Sequence, residues 1–190
     1  MRIYQSSIMS LLRRLIVIAL SIYVLFWVMD WYHDRRAAQG RPGHVHAFVQ
    51  RYSGMAQEVS MQSGVPAPLI LAVGALESSW GSSELTQRSN NFFGIKAGNS
   101  SQPTCCLPTQ EFVNRRARTV KACFRAYDDP RGSFRDFARL LSSEERYRNL
   151  FDHHPGDYAR WAQSLQDSGY ATDPNYAKKL IRVIQQYRLH

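Results

Sequence analysis

Helical spacing of apolar residues dominates the chain beyond residue 43. Between positions 44 and 63 the apolar side chains recur every three to four residues, which predicts one amphipathic helix, and Gly64 is suited to end it. Its apolar positions are Val45, Phe48, Val49, Tyr52, Met55, Ala56 and Val59. Further helices are predicted to begin near Pro66, Pro130, Ser143, Gly156 and Asp173.

The helix that begins near Pro66 differs from the others because it is apolar on nearly every face. Pro66 and Pro68 suit a first helical turn, and the pattern runs to Trp80, where Gly81 is expected to end the helix. A helix without a polar face is expected to be buried on all sides. We therefore place this helix at the centre of the domain.

A different pattern lies between the helical stretches. Residues 81–103 are rich in Gly, Ser and Asn and are expected to form a loop. From Thr109 to Tyr127 apolar residues alternate with polar ones on either side of a polar turn at 114–118, which predicts a β-hairpin. The fold class is therefore α+β: a mostly helical domain with a small β-hairpin lobe.

The N-terminal segment predicts a membrane anchor. The run from Leu15 to Met29 is apolar except at Ser21, and Arg13 and Arg14 precede it. Aromatic residues follow the run, as at a membrane interface, namely Trp27, Trp31 and Tyr32. No cleavage site with small residues follows directly, so one N-terminal transmembrane helix is favoured over the alternative, a cleaved signal peptide.

The excess of arginine before the apolar run sets the expected topology. The positive-inside rule places the N-terminus in the cytoplasm and the remaining chain in the periplasm. We expect a cytoplasmic stub and anchor at 1–32, a polar linker at 33–43 and one folded domain at 44–190. The expected location is a single-pass protein of the bacterial inner membrane.

Net charge and cysteine content narrow the choice of partners. The formal net charge of +9 suggests anionic lipid or an acidic wall polymer, and no nucleic-acid-binding motif accompanies the arginines. Cys105, Cys106 and Cys123 lack the spacing of a zinc site, so no metal is expected. In an exported domain one disulfide is expected, with one thiol left over.

Glu77 is the strongest candidate for chemistry. It lies in the last turn of the apolar helix, beside Leu76 and one turn from Val73 and Trp80. Burial and the negative end of the helix dipole both disfavour the ionised carboxylate, so its pKa should be raised, as a general acid requires. The alternative is an exposed or salt-bridged glutamate at a helix end.

Four separate segments together carry a resemblance to a known family. They are Ala75-Leu76-Glu77-Ser78-Ser79-Trp80-Gly81, Asn90-Asn91-Phe92-Phe93-Gly94-Ile95-Lys96, Phe124-Arg125-Ala126-Tyr127 and the run from Gln166 to Ala177. In this order and spacing they resemble the glucosaminidase domain of glycoside hydrolase family 73, whose members include the wall-hydrolase domains of flagellar rod-assembly proteins. The resemblance covers roughly residues 45–188.

The resemblance implies a lysozyme-like fold and a set of site residues. Glu77 falls on the family's general acid, and Thr109-Gln110-Glu111 places Glu111 on its second acidic residue. Tyr170 falls on a tyrosine that lines the cleavage site. The substrate-binding candidates from these segments are Asn91, Phe92, Trp80 and Tyr176, although core packing is the alternative for Phe92 and Trp80. Cys123 is expected to pair with Cys106 or Cys105 and so to pin the hairpin.

The expected function is hydrolysis of peptidoglycan after N-acetylglucosamine, by an endo-β-N-acetylglucosaminidase that needs no cofactor. Muramidase or lytic transglycosylase action on the same polymer is one alternative. A catalytically silent wall-binding scaffold of an envelope-spanning secretion or conjugation apparatus is another. The expected partners are peptidoglycan and the inner membrane, with such an apparatus as a further candidate and no nucleic acid.

Overall fold

The computed structural model describes residues 24–25, 28–29, 42–98, 103–113 and 116–189, without the side chains of 110–113 and 116–119. The chain divides into two compact units, 1–41 and 42–190. In the first unit, residues 24, 25, 28 and 29 are helical and exposed. Most of the predicted anchor at 1–32 lies outside the described residues. Among the residues that are described, none belongs to a helix with the length and apolarity needed to cross a bilayer.

The second unit is mostly helical and carries one antiparallel pair of strands, as the sequence predicts. The helices are α1 (Gly43–Ser63), α2 (Ala67–Glu77), α3 (Glu84–Ser89), α4 (Pro130–Ser143), α5 (Tyr158–Asp167) and α6 (Tyr176–Tyr187), and a 3-10 helix covers Glu145–Asp152. The strands are β1 (Thr104–Val113) and β2 (Arg116–Arg125). The short helix α3 lies in the segment expected to be loop.

Helix α2 forms the centre of this unit, as its all-apolar sequence predicts. Its residues from Leu69 to Ala75 are buried, and α1, α4, α5 and α6 pack around it. The ring of Phe93 packs beside Gly74, where a Cβ would lie 3.4 Å from it, at van der Waals distance. The helix ends at Glu77 rather than at Gly81, so that prediction was wrong by one turn.

Helices α1 and α4 cover one side of α2 with an aromatic core. The ring of Phe92 lies between Phe48 and Tyr52 of α1 and Phe134 of α4, with ring centroids 4.7–6.2 Å apart. Such edge-to-face and tilted contacts add to the gain from burying apolar area. This cluster fixes the chain that follows α3 against the helical body.

The β-hairpin extends further than alternation predicts. β1 begins at Thr104, five residues before the predicted start, and the turn is shorter than predicted because β2 begins at Arg116. Pro108 has no backbone N–H to donate, which is tolerated in β1 because β1 pairs with β2 alone among the described strands. Cys106 faces Cys123 in this register and forms a disulfide with it, and Cys105 is a free, half-buried thiol.

Two polar side chains, those of Asp136 and Asn91, attach the base of the hairpin to the helical body. Asp136 of α4 accepts hydrogen bonds from Arg125 (2.6 Å) and from the Tyr127 hydroxyl (2.7 Å). Asn91 donates from its amide to the carbonyl oxygens of Ile95 (3.0 Å) and Arg125 (2.9 Å). The hairpin is therefore held beside the C-terminal end of α2, where a cleft opens.

Candidate active site

A tight turn directly after α2 sets the position of Glu77. Ser79 and Trp80 both have positive φ (51° and 58°), a conformation that costs energy for residues other than glycine. Ser78 is buried; its hydroxyl donates to the Gly74 carbonyl (2.5 Å) and accepts from the Gly81 amide (2.7 Å). The helix thus stops sharply at Glu77.

Glu77 lies in a cleft between the helical body and the base of the hairpin. The cleft has a volume of about 740 Å³, within the range of about 300–1,000 Å³ that is typical of ligand sites. One wall comes from residues 93–96, before β1, and from the end of β2. The other comes from α4 and the residues that follow α4 and α5. Its lining includes Glu77, Phe93, Ile95, Lys96, Phe124, Arg125, Leu140, Glu144, Arg146, Tyr147, Tyr170 and Thr172.

The Glu77 carboxyl has one hydrogen-bond partner among the described residues. The buried Tyr176 hydroxyl donates to Glu77 Oε1 at 2.6 Å, and Oε2 has no partner in the described part of the chain. The side chain is exposed towards the cleft, but the surrounding walls desolvate the carboxylate and raise its pKa above 4.5. The hydrogen bond from Tyr176 opposes this effect by stabilising the ionised form.

Tyr147 and Tyr170 form the wall of the cleft beside Glu77, and the buried Tyr176 packs against Tyr170. Tyr170 lies 5.8 Å from Tyr176 and 6.3 Å from Tyr147, measured between ring centroids. Burial raises the pKa of the Tyr170 and Tyr176 hydroxyls, so both are neutral near Glu77, and the negative charge of Glu77 adds to the effect. This wall is both apolar and able to donate hydrogen bonds, which suits a sugar ring.

Charged residues line the side of the cleft formed by the end of α4. Arg146 donates from Nε to Oε2 of Glu144 at 2.7 Å, and its guanidinium carbon lies 4.5 Å from the centre of the Tyr147 ring. Lys96 and Arg125 also line the cleft, and Arg125 is engaged by Asp136. The cleft therefore presents both carboxylates and cations to a ligand.

Of the site residues predicted from sequence, three lie together. Glu77 and Tyr170 line the cleft, and Tyr176 is buried behind Glu77 and bonded to it. Tyr176 therefore contacts the carboxyl and is placed to orient it, whereas the sequence suggested a contact with substrate.

Three further candidates, Trp80, Phe92 and Asn91, lie in the helical body and not in the cleft lining. Trp80 packs edge-on against Phe48 and Tyr187, and Phe92 is buried in the aromatic core, so both follow the core-packing alternative. Asn91 is 1% exposed. Its two amide protons are donated to carbonyl oxygens, and its oxygen accepts from two backbone amides, so its hydrogen-bonding capacity is used within the protein.

The backbone of Glu111 lies on β1, opposite Arg118. Its side chain is outside the described part of the structure, so the geometry does not test its predicted role. In the described residues no three His, Cys, Asp or Glu side chains are arranged to hold a metal ion.

Several cleft residues were not found from the sequence. Phe93 rather than Phe92 lines the cleft, and Glu144 and Arg146 reach it from the short segment after α4. Adjacent phenylalanines could not be told apart by periodicity. Little in the sequence indicated that Glu144 and Arg146 belong to the site, because charged residues between two helices are usually solvated.

Comparison with known proteins agrees with the fold. The glucosaminidase family model, described as mannosyl-glycoprotein endo-beta-N-acetylglucosaminidase, matches residues 53–189. Peptidoglycan hydrolase FlgJ of Escherichia coli K12 is 43% identical over 152 residues, covering 77% of this chain and 48% of that protein. Exo-glucosaminidase LytG of Bacillus subtilis is 35% identical, covering 75% of this chain and 51% of that protein.

A solved structure shows the same fold. The glycoside hydrolase domain of FlgJ from Salmonella typhimurium, in a C-terminally truncated form, superposes with a TM-score of 0.62 at 39% identity. The match covers 77% of this chain and 99% of that domain. This chain spans about half the length of the curated relatives that it matches. The family match, the sequence identities and the shared fold together show that the chain belongs to the glucosaminidase family.

Proposed function

We propose that this protein hydrolyses the glycan strands of peptidoglycan after N-acetylglucosamine, with Glu77 as the general acid. One observation carries the proposal: Glu77 lies in a cleft of about 740 Å³, in surroundings that raise the pKa of its carboxyl. A carboxyl that keeps its proton at higher pH is able to protonate a leaving-group oxygen. Family membership and the names of the relatives support a wall glycan as substrate.

The contacts of Glu77 suggest which oxygen carries the acidic proton. Because the Tyr176 hydroxyl donates to Oε1, the proton of the neutral acid belongs on Oε2. Oε2 has no partner among the described residues, so it is available to the glycosidic oxygen of a bound glycan. Tyr176 then holds the carboxyl in one orientation through the reaction.

A second acidic group is needed to activate water or to stabilise the positively charged transition state. The family resemblance assigns this role to Glu111, whose backbone lies on β1. Glu111→Gln should therefore lower the rate of glycan cleavage. Glu144 is a second carboxylate within the cleft, and Glu144→Gln provides the comparison: a larger loss of kcat in that variant would move the role from Glu111 to Glu144.

The chemical identity of the new chain ends tests the proposed bond. Purified peptidoglycan is digested with the full chain, and the fragments are reduced with borohydride and identified by mass spectrometry. The proposal predicts N-acetylglucosaminitol at the new ends. Muramitol ends would show a muramidase, and anhydromuramic acid ends a lytic transglycosylase. Binding without any fragments would favour a silent wall-binding scaffold.

We further propose that the domain works in the periplasm, anchored to the inner membrane by residues 1–32. The apolar run from Leu15 to Met29 and the arginines before it support the anchor. The disulfide between Cys106 and Cys123 supports an oxidising compartment. An envelope-spanning apparatus remains a candidate partner on the strength of this location.

A further inference from the structure

We propose that Arg146 binds a carboxylate on the muramic acid units of the glycan and so gives the enzyme a preference for anionic substrate. That carboxylate is either the free lactyl group or part of the peptide attached to it. This inference rests on the proposed function and goes beyond it, because Glu77 and the tyrosine wall contain nothing that would select a charged glycan.

The position and geometry of Arg146 support this role. Its side chain is 51% exposed and lines the same cleft as Glu77. The guanidinium carbon lies 4.5 Å from the Tyr147 ring centre, a cation–π contact that favours this position of the group. The bond from Nε to Glu144 leaves both terminal nitrogens without a hydrogen-bond partner among the described residues. A planar guanidinium with free terminal nitrogens matches the two oxygens of a carboxylate.

The contact with Glu144 shows that Arg146 already binds a carboxylate within the protein. Glu144 is 39% exposed, so the pair lies at the cleft surface, where an ion pair contributes little to stability and exchanges readily. Arg125 is bound by Asp136, which is largely buried. Arg146 is therefore better placed than Arg125 to exchange its protein carboxylate for one on the substrate.

The neighbouring ion pair provides a matched control. Arg148 pairs with Glu145 at 3.2 Å, and both side chains are more than three-quarters exposed. Neither residue is among those that line the cleft. Arg148→Gln therefore removes a positive charge two residues from Arg146, and Glu145→Gln removes a negative charge one residue from Glu144. Both changes lie outside the binding surface.

The experiment compares kcat and KM of these variants on three glycans: peptide-bearing strands, strands freed of peptide by an amidase, and freed strands whose lactyl carboxylates are converted to neutral methylamides. Arg146→Gln should raise KM about tenfold on an anionic glycan, the size expected for a lost charge-assisted contact. On the neutral glycan, the increase in KM caused by Arg146→Gln should be less than about twofold. A deficit on peptide-bearing strands alone identifies the peptide carboxylate. A deficit on the freed strands alone identifies the lactyl carboxylate, which is an uncharged amide while the peptide is attached. A deficit on both anionic glycans shows that Arg146 binds either carboxylate.

Glu144→Gln tests the same idea with the opposite sign. Removing the competing carboxylate should lower KM on the anionic glycans, whereas Glu145→Gln should leave it unchanged. Arg146→Lys should restore part of the affinity, because it keeps the charge but not the planar group. Thermal unfolding of each variant shows whether it is folded.

Two results would overturn the inference. One is a KM of Arg146→Gln equal to that of Arg148→Gln on every glycan. The other is evidence of a structural role, namely a loss that is confined to kcat or that is equal on neutral and anionic glycans. If the wild-type protein cleaves none of the glycans, the proposed function fails instead, so the two failures are distinguishable.

Discussion

At the scale of single residues, two opposing effects act on Glu77. The walls of the cleft desolvate the carboxylate and raise its pKa, whereas the Tyr176 hydroxyl stabilises the ionised form and lowers it. The net direction is upward. An acid catalyst in these surroundings is active while protonated, so its rate should fall as the pH rises through a value above 4.5.

Tyr176→Phe separates these two effects. Without the hydroxyl the ionised carboxylate loses its donor, so the pKa of Glu77 should rise further and the alkaline limb of kcat/KM should move to higher pH. The maximal rate should fall several-fold, because the carboxyl is no longer held in one orientation. Tyr187→Phe on the same helix, whose ring packs on Trp80 outside the cleft lining, is the control. A limb that moves to lower pH would contradict the assigned role of Tyr176.

The sequence singled out Glu77 as the candidate acid but did not predict its surroundings. Glu77 stands out because a carboxylate on an apolar helix is costly, and Tyr170 follows from a motif. The hydrogen bond between Tyr176 and Glu77 joins residues 99 positions apart, and local spacing does not report such contacts. Asn91 was selected for its motif, and the structure shows that its amide is fully used in joining the hairpin to the helical body.

At the scale of elements, the hairpin is held by a cross-strand disulfide as well as by hydrogen bonds. The double variant Cys106→Ser/Cys123→Ser should lose about 2–4 kcal/mol of unfolding free energy, because the bridge restricts the unfolded chain. Activity at low temperature should fall less, since Asn91 and Asp136 still hold the base of the hairpin.

Thermal unfolding with and without reductant measures this contribution. Cys105→Ser leaves the bridge intact and is the control. An unchanged melting temperature in the double variant would show that the bridge does not stabilise the domain.

The starts of helices were predictable where the helical spacing of apolar residues continues over many residues. α1, α4 and α6 begin within about three residues of their predicted starts, because each carries a sustained apolar face. Helix α3 has six residues and depends on its Ser83 cap, so it is too short to show a period. The first half of β1 contains Pro108 and adjacent cysteines, which hide its alternation.

At the scale of the whole molecule, the anchor remains a prediction from the first 32 residues. A periplasmic reporter fused after His190 should be active, and the protein should remain in the membrane fraction after a high-salt wash. Deleting residues 1–32 should release the domain from the membrane. A shortened, soluble mature form of the full-length protein would show instead that the apolar run is a cleaved signal.

The central claim is that Glu77 is the acid that cleaves the glycan. Before its rate is interpreted, Glu77→Gln must be shown to be folded. A carboxyl whose pKa is raised in the folded state contributes stability that is present at low pH and lost as the pH rises through that pKa. The amide does not ionise, so the variant should melt no lower than the wild type at neutral pH.

The most direct measurement is the rate at which Glu77→Gln releases new reducing ends from peptidoglycan, beside the wild type and the exposed control Glu84→Gln. Loss of general acid catalysis predicts a rate at least about 100-fold below the wild type, with Glu84→Gln near the wild-type rate. A folded Glu77→Gln protein that releases reducing ends at the wild-type rate would contradict the claim and remove Glu77 from the mechanism.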